Sequence, residues 1–100
     1  MEHQYTIRRT ATFNNWLKSV KDMNAKAAIL RRIKRTRDGN FGDHKAVGNG
    51  GISEMRIDIG KGYRIYYTIR GNTIVFLLDG SDKKTQQVTI KHAEKLAKEV

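Results

Sequence analysis

The sequence predicts an α+β fold: an amino-terminal strand, a two-helix hairpin, an antiparallel β-meander and a short carboxy-terminal helix. Three patterns support this order. Apolar residues recur with a helical period between residues 13 and 33, alternate with polar residues from Ile52 to about Asp79, and return to helical spacing near the end. A chain of 100 residues suits one domain, so we expect residues 1–100 to form a single domain with one core.

The first 40 residues predict a strand and two helices. Gln4–Arg8 alternates polar and apolar residues, which predicts a short strand. Thr10 or Thr12 is placed to cap the first helix. The apolar stripe of that helix consists of Phe13, Trp16, Leu17 and Val20. Asn24 is predicted to cap the second helix, which ends before Gly39 because glycine favours the left-handed conformation that follows a helix.

The next segment predicts three antiparallel strands, at Ile52–Ile59, Tyr63–Arg70 and Thr73–Asp79. A three-residue loop, Gly60–Gly62, and a two-residue turn, Gly71–Asn72, are expected to join them. The third strand is apolar on both faces, so we expect it to be buried on both sides. A terminal helix then carries an apolar stripe of Ala93, Leu96, Ala97 and Val100.

Polar side chains share one face of the predicted sheet. In the registers that these turns give, Asp58 and Asp79 both pair with Arg64, and Arg56 lies opposite Tyr66. We expect this face to be open to solvent, with the guanidinium groups exposed. A charge ladder that only solvates the sheet is the alternative interpretation. Arginine suits a phosphodiester because its planar donor fork binds two phosphate oxygens and stays charged.

Composition restricts the function further. The formal net charge is +10, which indicates a polyanionic partner. The chain has no cysteine, which excludes disulfides and cysteine metal sites and fits the cytoplasm. We expect neither a membrane span nor a signal peptide, since no apolar run approaches about 18 residues. The three histidines lack metal-ligand spacing, so no metal is expected.

RNA cleavage without a metal needs removal of the 2′-hydroxyl proton, stabilisation of the phosphorane-like charge and protonation of the 5′ oxygen. The cations that can provide the electrostatic stabilisation are Arg56, Arg64, Lys83 and Lys84. Tyr66 is a candidate for stacking on a base, with an ordinary strand tyrosine as the alternative.

Four blocks of the sequence carry a resemblance to a known family. They are Gly39–Gly48, Ile52–Asp58, Gly62–Tyr67 and Leu77–Gln86. In these blocks and their joint spacing the chain resembles the RelE/ParE toxin superfamily, in particular its HigB-like branch of addiction module killer proteins. The resemblance implies a RelE-like fold and a toxin of a type II toxin–antitoxin module. It also implies a cofactor-free endoribonuclease that cuts mRNA, usually on the ribosome, and a protein antitoxin as partner, expected to be HigA-like and DNA-binding.

The resemblance also assigns candidate residues. Arg64 matches the arginine that contacts the scissile phosphate, and Arg56 and Lys83 complete the predicted catalytic set. The predicted RNA-binding residues are Lys45, Lys84, Tyr66, Gln86 and His44. Ile90 stands where relatives often place a tyrosine, so the general base stays open between Lys83, His44 and a substrate-assisted route.

Two other functions remain as alternatives. A ParE-like chain acts as a gyrase poison and lacks the ribonuclease residues, so the presence of Arg56, Arg64 and Lys83 favours the nuclease. A non-catalytic module that binds RNA or the ribosome needs only the net charge. Every form of the nuclease hypothesis requires the Arg64 guanidinium to be exposed beside Arg56 and Lys83.

Overall fold

The computed structural model describes residues 4–100 and contains a five-stranded sheet with helices on both faces. The elements in chain order are β1 (Thr6–Arg9), α1 (Ala11–Ser19), α2 (Met23–Arg37), β2 (His44–Ala46), β3 (Ser53–Ile57), β4 (Tyr63–Arg70), β5 (Ile74–Asp82) and α3 (Gln86–Ala97). This order confirms the predicted α+β fold. Among these helices, none is both long and apolar enough to cross a membrane.

The strands lie in the order β1-β5-β4-β3-β2. The β1 strand pairs in parallel with β5, where Thr6 lies beside Ile74, and the other neighbours are antiparallel. Strands β3, β4 and β5 therefore form the predicted meander, and the two short strands extend it on either side.

The sheet divides the buried apolar residues into two groups. One face, here called the hairpin face, is covered by α1 and α2 and contains Phe13, Ile29, Ile65 and Leu77. The opposite α3 face contains Ile52, Tyr66, Leu78, Ala93 and Ala97. The expected single core is thus split by the sheet. The prediction that β5 is buried on both sides is confirmed.

Side-chain caps begin the two helices of the hairpin. The Thr10 hydroxyl accepts from the Phe13 N–H at 3.0 Å, which selects Thr10 over Thr12. Asp22, two residues before the predicted Asn24, caps α2. The carboxylate accepts from the N–H groups of Asn24 and Ala25, so the Asn24 prediction was wrong. Gly39 follows α2 with φ +92°, as expected.

Both turns of the meander are longer than predicted. The first spans residues 58–62, because Gly60 and Gly62 both adopt positive φ and the Gly62 N–H bonds to Ile59. The second spans residues 71–73. A β-bulge follows: Tyr66 pairs with Asp79 and Tyr67 with Leu77, which leaves Leu78 as the extra residue. The strand registers therefore differ from the predicted ones.

Candidate active site

Two arginines of the predicted catalytic set are neighbours across β3 and β4. Arg56 pairs with Arg64, whereas the sequence analysis placed Arg56 opposite Tyr66. The predicted pairs of Arg64 with Asp58 and Asp79 were also wrong: Asp58 lies in the loop, and Ser81 is the partner of Arg64 on β5. The longer turn and the bulge moved the registers by two residues, which preserves the face that each side chain occupies.

The expected exposure of Arg64 is contradicted. This residue is only 6% exposed, and it lies on the same face of β4 as the buried Tyr66. The guanidinium Nη1 donates to the Tyr63 carbonyl at 3.3 Å, and Nε lies 3.9 Å from Glu54 Oε2. In this conformation Arg64 therefore faces a carboxylate inside the protein and not the solvent.

Glu54 is a fully buried carboxylate at the centre of this site. The Gln86 side-chain amide, at the start of α3, donates to its Oε1 at 2.9 Å. Three buried atoms of the site lack a hydrogen-bond partner: Glu54 Oε2, Arg64 Nε and Arg56 Nε. Unsatisfied buried polar atoms are costly and rare in folded proteins, so each one calls for a physical explanation, of which a catalytic role is one. Glu54, Arg56 and Arg64 therefore form the candidate active site.

Arg56 lies at the solvent edge of the site, with a third of its side chain exposed. The Nη2 atom donates to Asp43 Oδ1 at 2.9 Å. This hydrogen bond and the charge of Asp43 raise the pKa of Arg56. The guanidinium is therefore oriented by a carboxylate that is itself exposed, so a phosphate can compete for it.

Tyr66 does not have the exposed position that base stacking requires. Its ring is fully buried beneath α3, and its hydroxyl is hydrogen-bonded to Ser81 at 2.9 Å. Burial raises the pKa of Tyr66 to about 12. The stacking prediction is therefore contradicted in this conformation, since the α3 face that contains Tyr66 is not open.

The predicted RNA-binding residues of β2 point to opposite faces. Lys45 is exposed and is the register partner of Glu54, so it shares the α3 face. His44 pairs with Met55, a residue of the hairpin face, and its ring lies 5.7 Å from that of Phe41. The structure therefore does not bring His44 to the active site, which argues against it as the general base.

The basic loop lies between β5 and α3, next to the start of β4. Lys83 and Lys84 are exposed. The stem of Lys83 packs on Gly62, where an added Cβ would lie 3.1–3.3 Å from three Lys83 carbons. Lys83 is thereby held beside the strand that carries Arg64.

One feature of the α3 face was missed by the sequence analysis. His92 Nδ1 lies 2.8 Å from Asp79 Oδ2, which joins α3 to β5 at the half-exposed edge of the helix. No sequence pattern predicts a contact between Asp79 and His92, which are 13 positions apart. The available signal is the helical spacing of Ala93 and Ala97, which places residue 92 at the edge of the buried stripe. Glu54 was also missed, because it looked like one more polar residue of an exposed face.

The site can perform acid–base and electrostatic chemistry. It offers one carboxylate to accept a proton and two guanidinium groups to stabilise developing negative charge. Among residues 4–100, no group of three or more His, Asp or Glu side chains is arranged to hold a metal ion.

Sequence comparison assigns the chain to a family. The family described as "Phage derived protein Gp49-like" matches residues 15–100. A Haemophilus influenzae protein described as uncharacterized is 51% identical over 94 residues, which cover 94% of each chain. The chain belongs to the Gp49-like family of phage-derived proteins.

Two solved structures with a similar fold are a toxin and a toxin–antitoxin complex. A mutant of the E. coli toxin RelE in the free state aligns with a TM-score of 0.68 at 12% identity, over 92% of this chain and 97% of that one. A chain of the RelBE2 toxin–antitoxin complex of Mycobacterium tuberculosis aligns with a TM-score of 0.64 at 23% identity, over 80% and 99%. The predicted RelE/ParE superfamily and its fold are confirmed, and the HigB-like branch stays a prediction.

Proposed function

We propose that this Gp49-like protein is the toxin of a type II toxin–antitoxin module and an endoribonuclease that cuts mRNA on the ribosome. One observation carries the proposal. On a RelE-like sheet, Glu54, Arg56 and Arg64 meet on one face with three side-chain atoms unsatisfied. A phosphodiester with its attacking hydroxyl supplies the missing partners, because it brings both acceptors for the guanidinium groups and a donor for the carboxylate.

The proposed reaction is cleavage by the neighbouring 2′-hydroxyl group. The Glu54 carboxylate takes the hydroxyl proton, the 2′ oxygen bonds to phosphorus, and the bond from phosphorus to the 5′ oxygen breaks. The departing oxygen takes a proton from solvent, and the products are a 2′,3′-cyclic phosphate and a 5′-hydroxyl. Arg64 and Arg56 stabilise the negative charge that develops on phosphorus. Glu54 thus replaces Lys83 and His44 as the proposed base, and Lys83 supports the reaction as a cation.

The described conformation is the closed form of this site. Gln86, at the start of α3, is hydrogen-bonded to Glu54, and both Glu54 and Arg64 are buried. Catalysis therefore requires the first turn of α3 to move, which breaks the hydrogen bond from Gln86 to Glu54. Released in this way, Gln86 joins Lys45, Lys83 and Lys84 as contacts for the flanking RNA.

The burial of Arg64 is the observation that favours another function, a ParE-like gyrase poison. A guanidinium that never leaves the interior stabilises the fold through Glu54 and contacts no phosphate. A non-catalytic module that binds RNA or the ribosome is compatible with the same burial. The experiment on cleavage below distinguishes all three functions.

A protein antitoxin is the proposed partner, and a groove between β1 and α2 fits part of it. The groove has a volume of about 480 Å³. Its floor is apolar, and Leu30 there is 43% exposed. The lining residues are Ile7, Leu30 and Ile33 on the floor, with Arg9, Lys34 and Arg37 around it. An apolar floor inside a cationic rim complements an acidic amphipathic segment, so we assign such a segment of the antitoxin to this groove.

The test is induction of the protein in growing bacteria with mapping of mRNA 5′ ends on ribosomes. We expect growth arrest and new ends within translated codons. Arg56→Gln and Arg64→Gln are expected to lose both effects, and circular dichroism checks that each variant is folded. Arg31→Gln is the matched control, because Arg31 is exposed on α2.

Three outcomes would overturn the nuclease. Folded Arg56→Gln and Arg64→Gln proteins that both still cleave would disprove the assigned site. Arrest with DNA-damage signalling and intact mRNA would select the gyrase poison. Salt-sensitive ribosome binding with neither cleavage nor DNA damage would select the non-catalytic module.

A further inference from the structure

A cleft on the hairpin face has no role in the proposed reaction. It lies where the end of α1, the loop of residues 58–62 and the end of β5 meet, and it has a volume of about 580 Å³. Sites for small molecules and cofactors span roughly 300–1,000 Å³. The residues of its lining that matter here are Trp16, Lys21, Asp22, Lys61, Tyr63 and Asp82. Its size and lining therefore suit a small aromatic ligand with charged groups.

The aromatic wall of the cleft is rigid. The Trp16 indole lies flat against Gly80 of β5, where an added Cβ would come within 2.2 Å of two ring carbons. The rings of Phe13 and Tyr63 lie tilted beside the indole, with ring centroids 5.6 and 6.4 Å away. Trp16 is nevertheless only partly buried and lines the opening. A fixed and partly exposed indole is a platform on which a planar ring stacks.

The charged groups of the cleft differ in what they already bind. Asp22 Oδ1 accepts from two N–H groups at the start of α2, and Asp82 Oδ1 accepts from Thr85. One oxygen of each carboxylate is thus occupied by hydrogen bonds from backbone N–H groups that follow it in the sequence. Lys21 and Lys61 are exposed, and no ion pair within 4.0 Å joins either to a carboxylate in the described part of the chain. The lysines are therefore available to an anion.

The cleft continues into the basic loop. An adjoining groove of about 410 Å³ is lined by Lys61 and Asp82, which it shares with the cleft, and by Lys83 and Lys84. A chain of phosphates can therefore pass from the cleft along one row of lysines. A cationic groove beside an aromatic ring on which a base can stack is a pattern that binds single-stranded nucleic acid.

We propose that the Trp16 cleft binds one unpaired nucleotide of single-stranded RNA, with the base stacked on Trp16 and its phosphate held by Lys21 and Lys61. The following phosphates then lie along Lys83 and Lys84. This inference deepens the proposed function by adding a base-binding subsite to the nuclease, but the binding itself needs no cleavage.

The fluorescence of Trp16 tests the proposal directly, because the chain contains a single tryptophan. The purified protein is titrated with a single-stranded ribotrinucleotide, and ribose 5-phosphate serves as the ligand without a base. We expect saturable quenching by the trinucleotide alone. Lys61→Gln is expected to weaken binding about five-fold, as loss of one phosphate contact would. Lys95→Gln, an exposed lysine on α3, is expected to leave it unchanged.

Two outcomes would overturn the subsite. The first is the absence of saturable quenching by the trinucleotide, or equal quenching by ribose 5-phosphate. The second is equal weakening by Lys61→Gln and Lys95→Gln, which would mean attraction to net charge only. The mapping of mRNA ends is scored separately, so binding without cleavage refutes the nuclease alone, and cleavage without binding refutes the subsite alone.

Discussion

Glu54 and Arg64 face each other inside the α3 face with 3.9 Å between Oε2 and Nε, close enough to attract and too far apart for a hydrogen bond. A buried charge normally has a hydrogen-bonded partner of opposite charge, and this pair is too far apart to provide one. Gln86 holds the other carboxylate oxygen of Glu54. The pair therefore persists in the closed protein, and its unsatisfied Oε2 and Nε atoms can still bind a substrate.

If Glu54 is the base, Glu54→Gln lowers the rate of cleavage. We expect cleavage of mRNA on programmed ribosomes to fall by about 10²- to 10⁴-fold, the usual contribution of a general base. The variant also leaves Arg64 without a counter-charge, so the rates are compared at a temperature where it is folded. Cleavage by folded Glu54→Gln at the wild-type rate would refute the assignment, and Glu99→Gln is the control.

Gln86 is predicted to anchor the first turn of α3. Gln86→Ala removes its hydrogen bond to Glu54, which is worth about 1 kcal/mol. We therefore expect amide hydrogen exchange in the first turns of α3 to accelerate about five-fold. Gln87→Ala is the matched control, because the neighbouring glutamine is exposed. Equal exchange in the two variants would show that Gln86 does not hold the helix closed.

Thr10 is predicted to stabilise both α1 and the strand bulge. Its hydroxyl accepts from the Phe13 N–H and donates to the Leu78 carbonyl at 2.7 Å. Thr10→Ala is expected to lower the free energy of unfolding by about 1–2 kcal/mol. Thr12→Ala should cost less than about 0.5 kcal/mol. Urea denaturation measures both, and a larger loss for Thr12→Ala would contradict the cap.

Two buried tyrosines make the fold sensitive to alkali. Burial raises the pKa of Tyr66 and of Tyr67 from 10.0 to about 12. Since the folded protein holds these protons more tightly, stability is complete below pH 10 and falls as the pH rises towards 12. Tyr66→Phe should flatten this decline. The measurement is urea unfolding between pH 9 and 12, with tyrosinate absorbance as a second readout. A decline of the same slope in Tyr66→Phe would contradict the prediction.

If the groove between β1 and α2 binds the antitoxin, a substitution in it should separate toxicity from neutralisation. Leu30→Asp places a negative charge on the apolar floor, where it repels an acidic segment. We expect this variant to arrest growth but to escape neutralisation by the protein that the neighbouring gene encodes. Met23→Asp, another exposed apolar position of α2, is expected to be neutralised normally. Full neutralisation of Leu30→Asp would place the antitoxin elsewhere.

The sequence predicted which face each strand residue occupies but not its partner. Alternation in β3 and β4 reports the face, because a shift of two residues leaves it unchanged. Arg56 and Arg64 were therefore placed correctly on one face and wrongly paired. The bulge at Leu78 has no signature in a run of five apolar residues.

The sequence-based prediction differed most from the structure in the position of α3. Its apolar stripe indicated that Ala93 and Ala97 would be buried, but periodicity does not say which surface a helix covers. The expectation of an open sheet face followed from that omission. Glu54 and Gln86, 32 residues apart, meet only because α3 lies where it does.

The parallel pairing of β1 with β5 makes the amino terminus dependent on the last strand. β1 has one neighbour in the sheet, and that neighbour begins at residue 74. If a nascent chain is released or stalled before this point, Thr6–Arg9 has no strand to pair with, and α1 lacks the strand on which it packs. The five-stranded sheet is thus assembled only after β5 has been synthesised, so termination before residue 74 yields products without it.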